Sequence, residues 1–138
     1  MIVDATGLVL GRLASITAKT LLTGEEVKIV NAEKALITGR KAAIYDDYGR
    51  ARSRGSREKG PYFPRRPDMI LKRTVRGMLP YKFKRGKDAM ARLRIYVGVP
   101  KELKAMKFDQ PKGAKMRQES NVLHVQLGDL SKRLGANF

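Results

Sequence analysis

The sequence predicts an α/β fold that is built on parallel strands. Residues 1–5, MIVDA, form a short apolar run that ends at the turn signal TG, which is typical of a buried strand. A helix follows, because apolar or small residues recur there at helical spacing: Leu10, Leu13, Ala14, Thr17, Ala18 and Leu21. The run EVKIVNA then predicts a second strand. A strand, a helix and a strand within about thirty residues form a right-handed parallel unit.

The rest of the chain continues this alternation of strands and helices. Gly24 lies just past the first helix, where a C-terminal cap is expected. Later segments predict a short strand in ALIT, a helix capped by Thr38 and ending at Tyr45, a helix from Pro67 to before Pro80, a short helix from Lys87 to Leu93, a strand in RIYVGVP and a terminal helix in LGDLSKRLG. The chain has neither a repeat nor a low-complexity linker, so we expect residues 1–138 to form one domain.

The charge indicates an anionic partner. Thirty Lys and Arg residues face 13 Asp and Glu residues, so the formal net charge is +17. Residues 1–38 are neutral, and residues 39–138 carry the whole surplus. Repulsion among so many like charges destabilises a compact fold unless a polyanion neutralises them. With 42% hydrophobic residues the chain is not a disordered polycation, and without cysteine it has no disulfide or thiolate metal site.

No membrane or secretion signal is recognisable in the sequence. No apolar run approaches the roughly 20 residues of a membrane-spanning helix. The first residues, MIVDATGL, have no basic-then-apolar signal pattern. We therefore expect a cytoplasmic protein with no membrane partner.

The most basic segment is predicted to be an extended binding loop at about residues 49–66. Gly, Ser and Pro are dense there, so we expect no regular element, and we expect RNA to order a segment that is mobile in the free protein. Arginine suits bidentate phosphate contacts, and interleaved aromatic residues are typical of RNA-binding segments. The candidate RNA-binding residues here are Arg50, Arg52, Arg54, Arg57, Lys59, Tyr62, Arg65 and Arg66.

The helix after this loop is predicted to have two different faces. Ile70, Leu71, Thr74, Val75 and Met78 form an apolar face, and basic residues form the opposite one. A basic turn with two aromatic residues, YKFKRG, comes next. The candidate RNA-binding residues in this region are Arg73, Arg76, Lys82, Lys84, Arg85 and Lys87. Four further cations are secondary candidates: Arg12, Lys112, Lys115 and Arg117.

Catalytic and cofactor signals are weak. Three residues separate Gly7 from Gly11, whereas a phosphate loop needs four residues between its glycines followed by Lys and Ser or Thr. His124 is the single histidine, and Asp46 and Asp47 have no third ligand nearby in the chain. We predict no catalytic residue, no metal site, no cofactor and no small-molecule substrate.

Four stretches carry a family resemblance: DATGLVLGRLAS, VKIVNAEKALITG, RTVRGMLPYKFKRG and RLRIYVGVP. In order over about residues 2–100, they resemble the signature stretches of the large-subunit ribosomal protein L13 family. VRGMLP followed by a basic segment is the most specific element. GPYFPRRP, residues 60–67, is similar to the archaeal–eukaryotic branch, and the lengths at both ends point to the archaeal type. Residues 101–138 match less clearly.

The resemblance implies a three-layer α/β/α fold with a mainly parallel, four-stranded sheet. It implies a structural constituent of the large ribosomal subunit that binds large-subunit rRNA, contacts neighbouring ribosomal proteins and supports assembly. It implies no catalysis. Apart from the resemblance, we expect Mg²⁺ only through the bound rRNA, since Asp46 and Asp47 fit a pair on a helix face better than a metal site. Two alternatives stay open: an RNA-binding translational repressor acting outside the ribosome, and a nucleotide-binding enzyme on a Rossmann-like sheet.

Overall fold

A computed structural model describes residues 1–116 and 122–138. The predicted parallel unit is present: strand β1 (Ile2–Asp4), helix α1 (Leu10–Leu22) and strand β2 (Val27–Val30). β1 and β2 are parallel, with Ile2 beside Lys28 and Asp4 beside Val30. Gly24 follows the end of α1 with a φ of 101°, which is the left-handed conformation expected of a glycine at this position.

The main sheet has three parallel strands in the order β1-β2-β4, where β4 is Leu93–Ile95. Its buried face carries Val3, Val27, Ile29 and Leu93, none of which is exposed to solvent. Helices α1 and α3 (Pro67–Gly77) pack on this face. The opposite face differs, since Lys28 is half-buried there and Arg94 is exposed.

The remaining strands form a separate antiparallel pair. β3 (Leu36–Thr38) pairs with β5 (His124–Gln126), and Leu36 lies beside Gln126. The chain turns away from the main sheet after β2, because Asn31 adopts a left-handed φ of 54° and a 3₁₀ turn follows at Ala32–Lys34. The α/β class with a small, mainly parallel sheet is therefore confirmed, but the single four-stranded sheet implied by the resemblance is divided into three strands and two.

The outer edge of β1 is covered by a later part of the chain. The Asp4 amide donates to the Asp109 carbonyl at 3.0 Å, and the Asp109 amide donates to the Ile2 carbonyl at 2.8 Å. This one-residue parallel bridge stands where a fourth strand would lie. The helices also do not form two equal layers on the main sheet, because α2 (Lys41–Ser53) and α5 (Leu127–Arg133) contact β5.

Helices α2 and α4 (Lys84–Ala91) differ most from their predicted bounds. α2 begins after Arg40 instead of at Thr38, which lies in β3, and it runs to Ser53 instead of Tyr45. Ile44, Tyr48 and Arg52 recur every four residues along its more buried side, so the helical pattern continues past Gly49.

Helix α4 begins three residues earlier than expected. A Cβ at Gly86 would overlap the carbonyl of Pro80, so only glycine lets the first turn of α4 pack this closely on the preceding turn. Within residues 1–116 and 122–138, no helix has the length and apolar character needed to cross a membrane.

Candidate nucleic-acid interface

Helix α3 buries one face in the core and exposes its two arginines on the other face. Pro67 occupies the first turn, and Asp68 lies near the N-terminus, where a carboxylate suits the helix dipole. Val75 is fully buried, while Arg73 and Arg76 are exposed. The predicted separation of the two faces is confirmed for these residues.

Met78 is the exception to the predicted apolar face. Its side chain is 45% exposed. Met78 forms the C-terminal cap of α3, and its amide donates to the Val75 carbonyl three residues back, so the helix tightens and ends there.

Aromatic rings hold both α3 arginines in place. The Arg73 guanidinium lies 4.8 Å from the centroid of the Phe63 ring, and the Arg76 guanidinium lies 4.4 Å from that of Tyr81. Such stacking orients the planar guanidinium and leaves its N–H edge available. The N–H edge of a guanidinium matches the geometry of a phosphate, so a group held in this way can make bidentate contacts.

Phe63 connects three parts of this surface. Its ring meets Tyr48 of α2 edge-on, with centroids 5.9 Å apart and an interplanar angle of 79°. Its carbonyl accepts a hydrogen bond from Arg52 at 2.8 Å. Together with the stacked Arg73, these contacts tie α2, the segment after it and α3 to one another.

The predicted loop at residues 49–66 is partly helical. Arg50 and Arg52 belong to α2, so the expectation of no regular element is wrong up to Ser53. The remainder, residues 54–66, is called here the arginine segment. With the end of α2 it lines a cationic cleft formed by Arg52, Ser53, Arg54, Gly55, Ser56, Arg57, Pro61, Tyr62 and Arg65.

Internal hydrogen bonds shape the arginine segment. The backbones of Ser56 and Gly60 exchange two hydrogen bonds, at 3.0 and 2.9 Å. The Tyr62 hydroxyl donates to the carbonyl of Glu58, 2.6 Å away. The Tyr62 ring is nevertheless 63% exposed, so it presents a flat, fixed surface beside the arginines.

The other candidates in this segment are placed differently. Arg54, Arg57, Lys59 and Arg65 are exposed. Arg66 is also exposed but pairs with Asp68 at 3.2 Å, which is the one ion pair found in the described part of the chain. The positive charge of this surface is therefore largely uncompensated by the protein itself.

The cations after α3 lie on a helix rather than in a turn. Lys84, Arg85 and Lys87 belong to α4, and all three are exposed, as is Lys82 before them. The first turn of α4 holds no acidic residue, so its cations and its N-terminal dipole both favour an anion. Sequence reasoning left out Phe83, which is 71% exposed among these cations; its position between Lys82 and Lys84 was the available signal.

The secondary candidates form a smaller group at the start of α1. Arg12 is exposed and donates to the carbonyl of Lys115 at 3.4 Å, so these two residues lie together. Lys112 is exposed in a 3₁₀ turn, Lys112–Ala114, that packs on α1. Arg117 lies outside the described residues.

The remaining polar chemistry supports the fold. Partial burial raises the pKa of Asp4. Hydrogen bonds from Asn31 and Thr6 and the charge of Lys34 lower this pKa by more than burial raises it, so it lies below its ordinary value. The Asn31 amide lies 2.9 Å from Asp4 Oδ1 and the Thr6 hydroxyl 2.7 Å from it, and these bonds fix the turn after β1. Burial, followed by the nearby charge of Asp47, raises the pKa of the Tyr48 hydroxyl.

The residues considered for catalysis or metal binding lie exposed on two different elements. Asp46 and Asp47 are exposed on α2, and His124 is exposed on β5. Within residues 1–116 and 122–138, no group of three or more His, Asp or Glu side chains is arranged to hold a metal ion.

Comparison with known proteins places these features in a family. The family model described as Ribosomal protein L13 matches residues 1–102. The chain is 57% identical over 137 residues to the large ribosomal subunit protein uL13 of Methanococcoides burtonii, covering 99% of each chain. It is 56% identical to the protein of that name from Methanosarcina barkeri, again over 99% of each, and 50% identical to that from Archaeoglobus fulgidus, over 97% of this chain and 86% of the relative.

Proposed function

Because this chain belongs to the ribosomal protein L13 family, in its archaeal form, we propose that it is a structural constituent of the large ribosomal subunit. In this role it binds large-subunit rRNA, contacts neighbouring ribosomal proteins and supports assembly of the subunit. Its location is the ribosome, in the cytoplasm. It acts by binding and not by catalysis, and it needs no cofactor beyond the Mg²⁺ that accompanies the rRNA.

The observation that carries this proposal is the cationic surface around Phe63, which is formed by α3, the arginine segment and the end of α2. Stacked arginines, an arginine-lined cleft and exposed aromatic rings occur together on it. Phosphates supply most of the affinity in such an interface, and exposed rings accept unpaired bases. The proposed RNA contacts are Arg50, Arg52, Arg54, Arg57, Lys59, Tyr62, Arg65, Arg66, Arg73, Arg76, Lys82, Lys84, Arg85 and Lys87, with Arg12, Lys112, Lys115 and Arg117 secondary.

Neither alternative function gains support. Open parallel sheets bind nucleotides where the strand order reverses, but the described sheet runs β1-β2-β4 in chain order. The relatives' names point to the ribosome and not to a repressor.

Two measurements test the proposal. The protein should be present at one copy per rRNA in salt-washed large subunits, since a constitutive component stays with them. Binding to large-subunit rRNA should also weaken steeply with salt, with a slope of log K against log [salt] of roughly −4 to −5 if about six phosphates are engaged. A substoichiometric protein, or a slope near zero, would contradict it.

A further inference from the structure

A second group of cations lies on the far side of the main sheet. Lys28, Arg92, Arg94 and Tyr96 line a cleft there together with Glu26 and Ala91. We call Lys28, Arg92, Arg94 and Tyr96 the back patch. None of them belongs to the surface around Phe63.

The sheet itself separates the two surfaces. Side chains alternate between the faces of a strand, so Lys28 and Arg94 point away from the side on which Val27, Ile29 and Leu93 are buried. α3 packs on that buried side through Val75 and turns Arg73 and Arg76 further outward. The two groups of cations therefore lie on opposite sides of the main sheet.

The register of the sheet creates an unfavourable pair in the back patch. Lys28 of β2 is directly beside Arg94 of β4, and adjacent strands are about 5 Å apart. Like charges in directly opposed positions destabilise a sheet. Glu26 lines the same cleft, but neither it nor any other described carboxylate lies within ion-pair distance of these two cations.

Backbone carbonyls accept hydrogen bonds from two arginines of the back patch, but no described carboxylate neutralises their charge. The Arg94 guanidinium donates to the carbonyl of Ala91 at 3.1 Å. Arg92 is half-buried and donates to the carbonyl of Leu21 at 2.8 Å. These contacts hold the side chains in place without neutralising them, so the patch is set for an anion from outside.

We propose that the back patch binds the phosphate backbone of a second rRNA segment, distinct from the one on the surface around Phe63. Lys28, Arg92 and Arg94 supply charge for phosphates, and Tyr96 supplies a ring edge beside them. The protein then joins two stretches of rRNA across its sheet. This inference rests on the proposed function, which supplies the RNA.

Hydroxyl-radical footprinting of full-length protein on complete large-subunit rRNA tests the proposal. Wild-type protein should protect two separate tracts. Lys28→Gln with Arg94→Gln should remove one tract, and Arg73→Ala with Arg76→Ala should weaken the other. Lys101→Gln with Lys104→Gln removes the same charge at exposed positions and should remove neither.

Affinity and stability give independent measurements on the same variants. Losing one of two linked contacts should weaken binding on the order of tenfold to a hundredfold, because the second contact is then no longer intramolecular. The slope of log K against log [salt] should fall in magnitude by roughly 2 for the Lys28 and Arg94 double variant. Its melting temperature should not fall, since the substitution removes a repulsion.

The outcomes separate this inference from the proposed function. If wild-type protein protects no rRNA, the proposed function fails. If wild-type protection is present and the Lys28 and Arg94 double variant keeps all of it, this inference alone fails. A photoreactive phenylalanine analogue in place of Tyr96 in washed large subunits should crosslink to rRNA, and a crosslink to a protein instead would assign the back patch to a neighbouring protein and overturn the inference.

Discussion

Helix α3 and the arginine segment both carry exposed arginines, but α3 is anchored in the core and the arginine segment is held mainly by contacts near the surface. Arg73 and Arg76 project from a helix whose Ile70, Leu71 and Val75 are in the core. The arginine segment, in contrast, is mostly exposed, and short-range hydrogen bonds give it its shape. A side chain that is already ordered loses less entropy when it binds. We therefore expect α3 to supply rigid anchor points and the arginine segment to adapt its shape to the RNA.

Breaking the support of α3 should have the largest effect. Val75→Asp places an unpaired carboxylate in a fully buried position, at a cost of several kcal/mol, against a typical total stability of about 5–15 kcal/mol. The chain should be unfolded or close to unfolded, as measured by circular dichroism on heating. Met69→Asp adds the same charge at a 51% exposed position of α3 and should stay folded. Equal melting curves for the two variants would show that Val75 does not anchor the helix.

Removing the charged groups compares the two supports directly. Arg73→Ala with Arg76→Ala should leave the fold intact and cost about 1–3 kcal/mol of RNA binding for each arginine. Arg54→Ala with Arg57→Ala removes the same charge from the arginine segment and should cost less, because those side chains must be ordered on binding. Filter binding and melting curves on both variants give the comparison. If the α3 variant melts early yet binds RNA normally when folded, its arginines are internal partners.

Removing the Phe63 ring, which connects the two regions, should have a smaller effect than the substitutions within either region. Phe63→Leu removes the edge contact with Tyr48 and the stacking of Arg73, at a cost of about 1–2 kcal/mol. The arginine segment should then be cut faster by trypsin in the free protein. Phe108→Leu, at a 36% exposed position outside this region, is the matched control.

Bound RNA should make the arginine segment less sensitive to trypsin. In wild-type protein, large-subunit rRNA should protect the arginine segment from trypsin, because its exposed arginines become covered. Cleavage at equal rates in the free and bound states would contradict both the predicted adaptability and the RNA contact of this segment.

The smallest effect should come from Asp4, which belongs to neither region. The pKa of Asp4 is lowered in the folded chain, so its carboxylate stabilises the fold fully above its ordinary pKa of 3.8, and this contribution is lost as the pH falls from that value through the lower pKa of the folded chain. Asp4→Asn should lower the stability at pH 7 by about 0.5–1 kcal/mol after solvent screening, and by less at pH 3. Urea denaturation at both pH values measures this. An equal loss at both would show that the charge of Asp4 is not what stabilises the turn.

Local patterns in the sequence were sufficient for the elements that depend on near neighbours. The apolar spacing of α1, the proline that begins α3 and the outward direction of Arg73 and Arg76 all follow from contacts within a few turns of helix. The helical extension of α2 to Ser53 was missed because Gly and Arg obscured a continuing pattern at Ile44, Tyr48 and Arg52.

Features that depend on distant contacts were not predictable. The pairing of β3 with β5 and the bridge from Asp109 to β1 join residues that are remote in the chain. Phe63 looked like one aromatic residue among many cations, and only the fold shows that it contacts Tyr48, Arg52 and Arg73. Lys28 lies in the neutral first third of the sequence, so nothing but the strand register reveals that it faces Arg94.

The split into two sheets also has a consequence for the order in which this chain gains structure during synthesis. β1 can meet β2 once about thirty residues exist, whereas β3 must wait for β5, since Leu36 pairs with Gln126. Contacts between remote residues form late, because a long loop has to close first. A nascent chain therefore acquires its first parallel strands early and keeps this edge of β3 unpaired until residues 124–126 have been added. In that interval the unpaired edge of β3 is open to pairing with another chain.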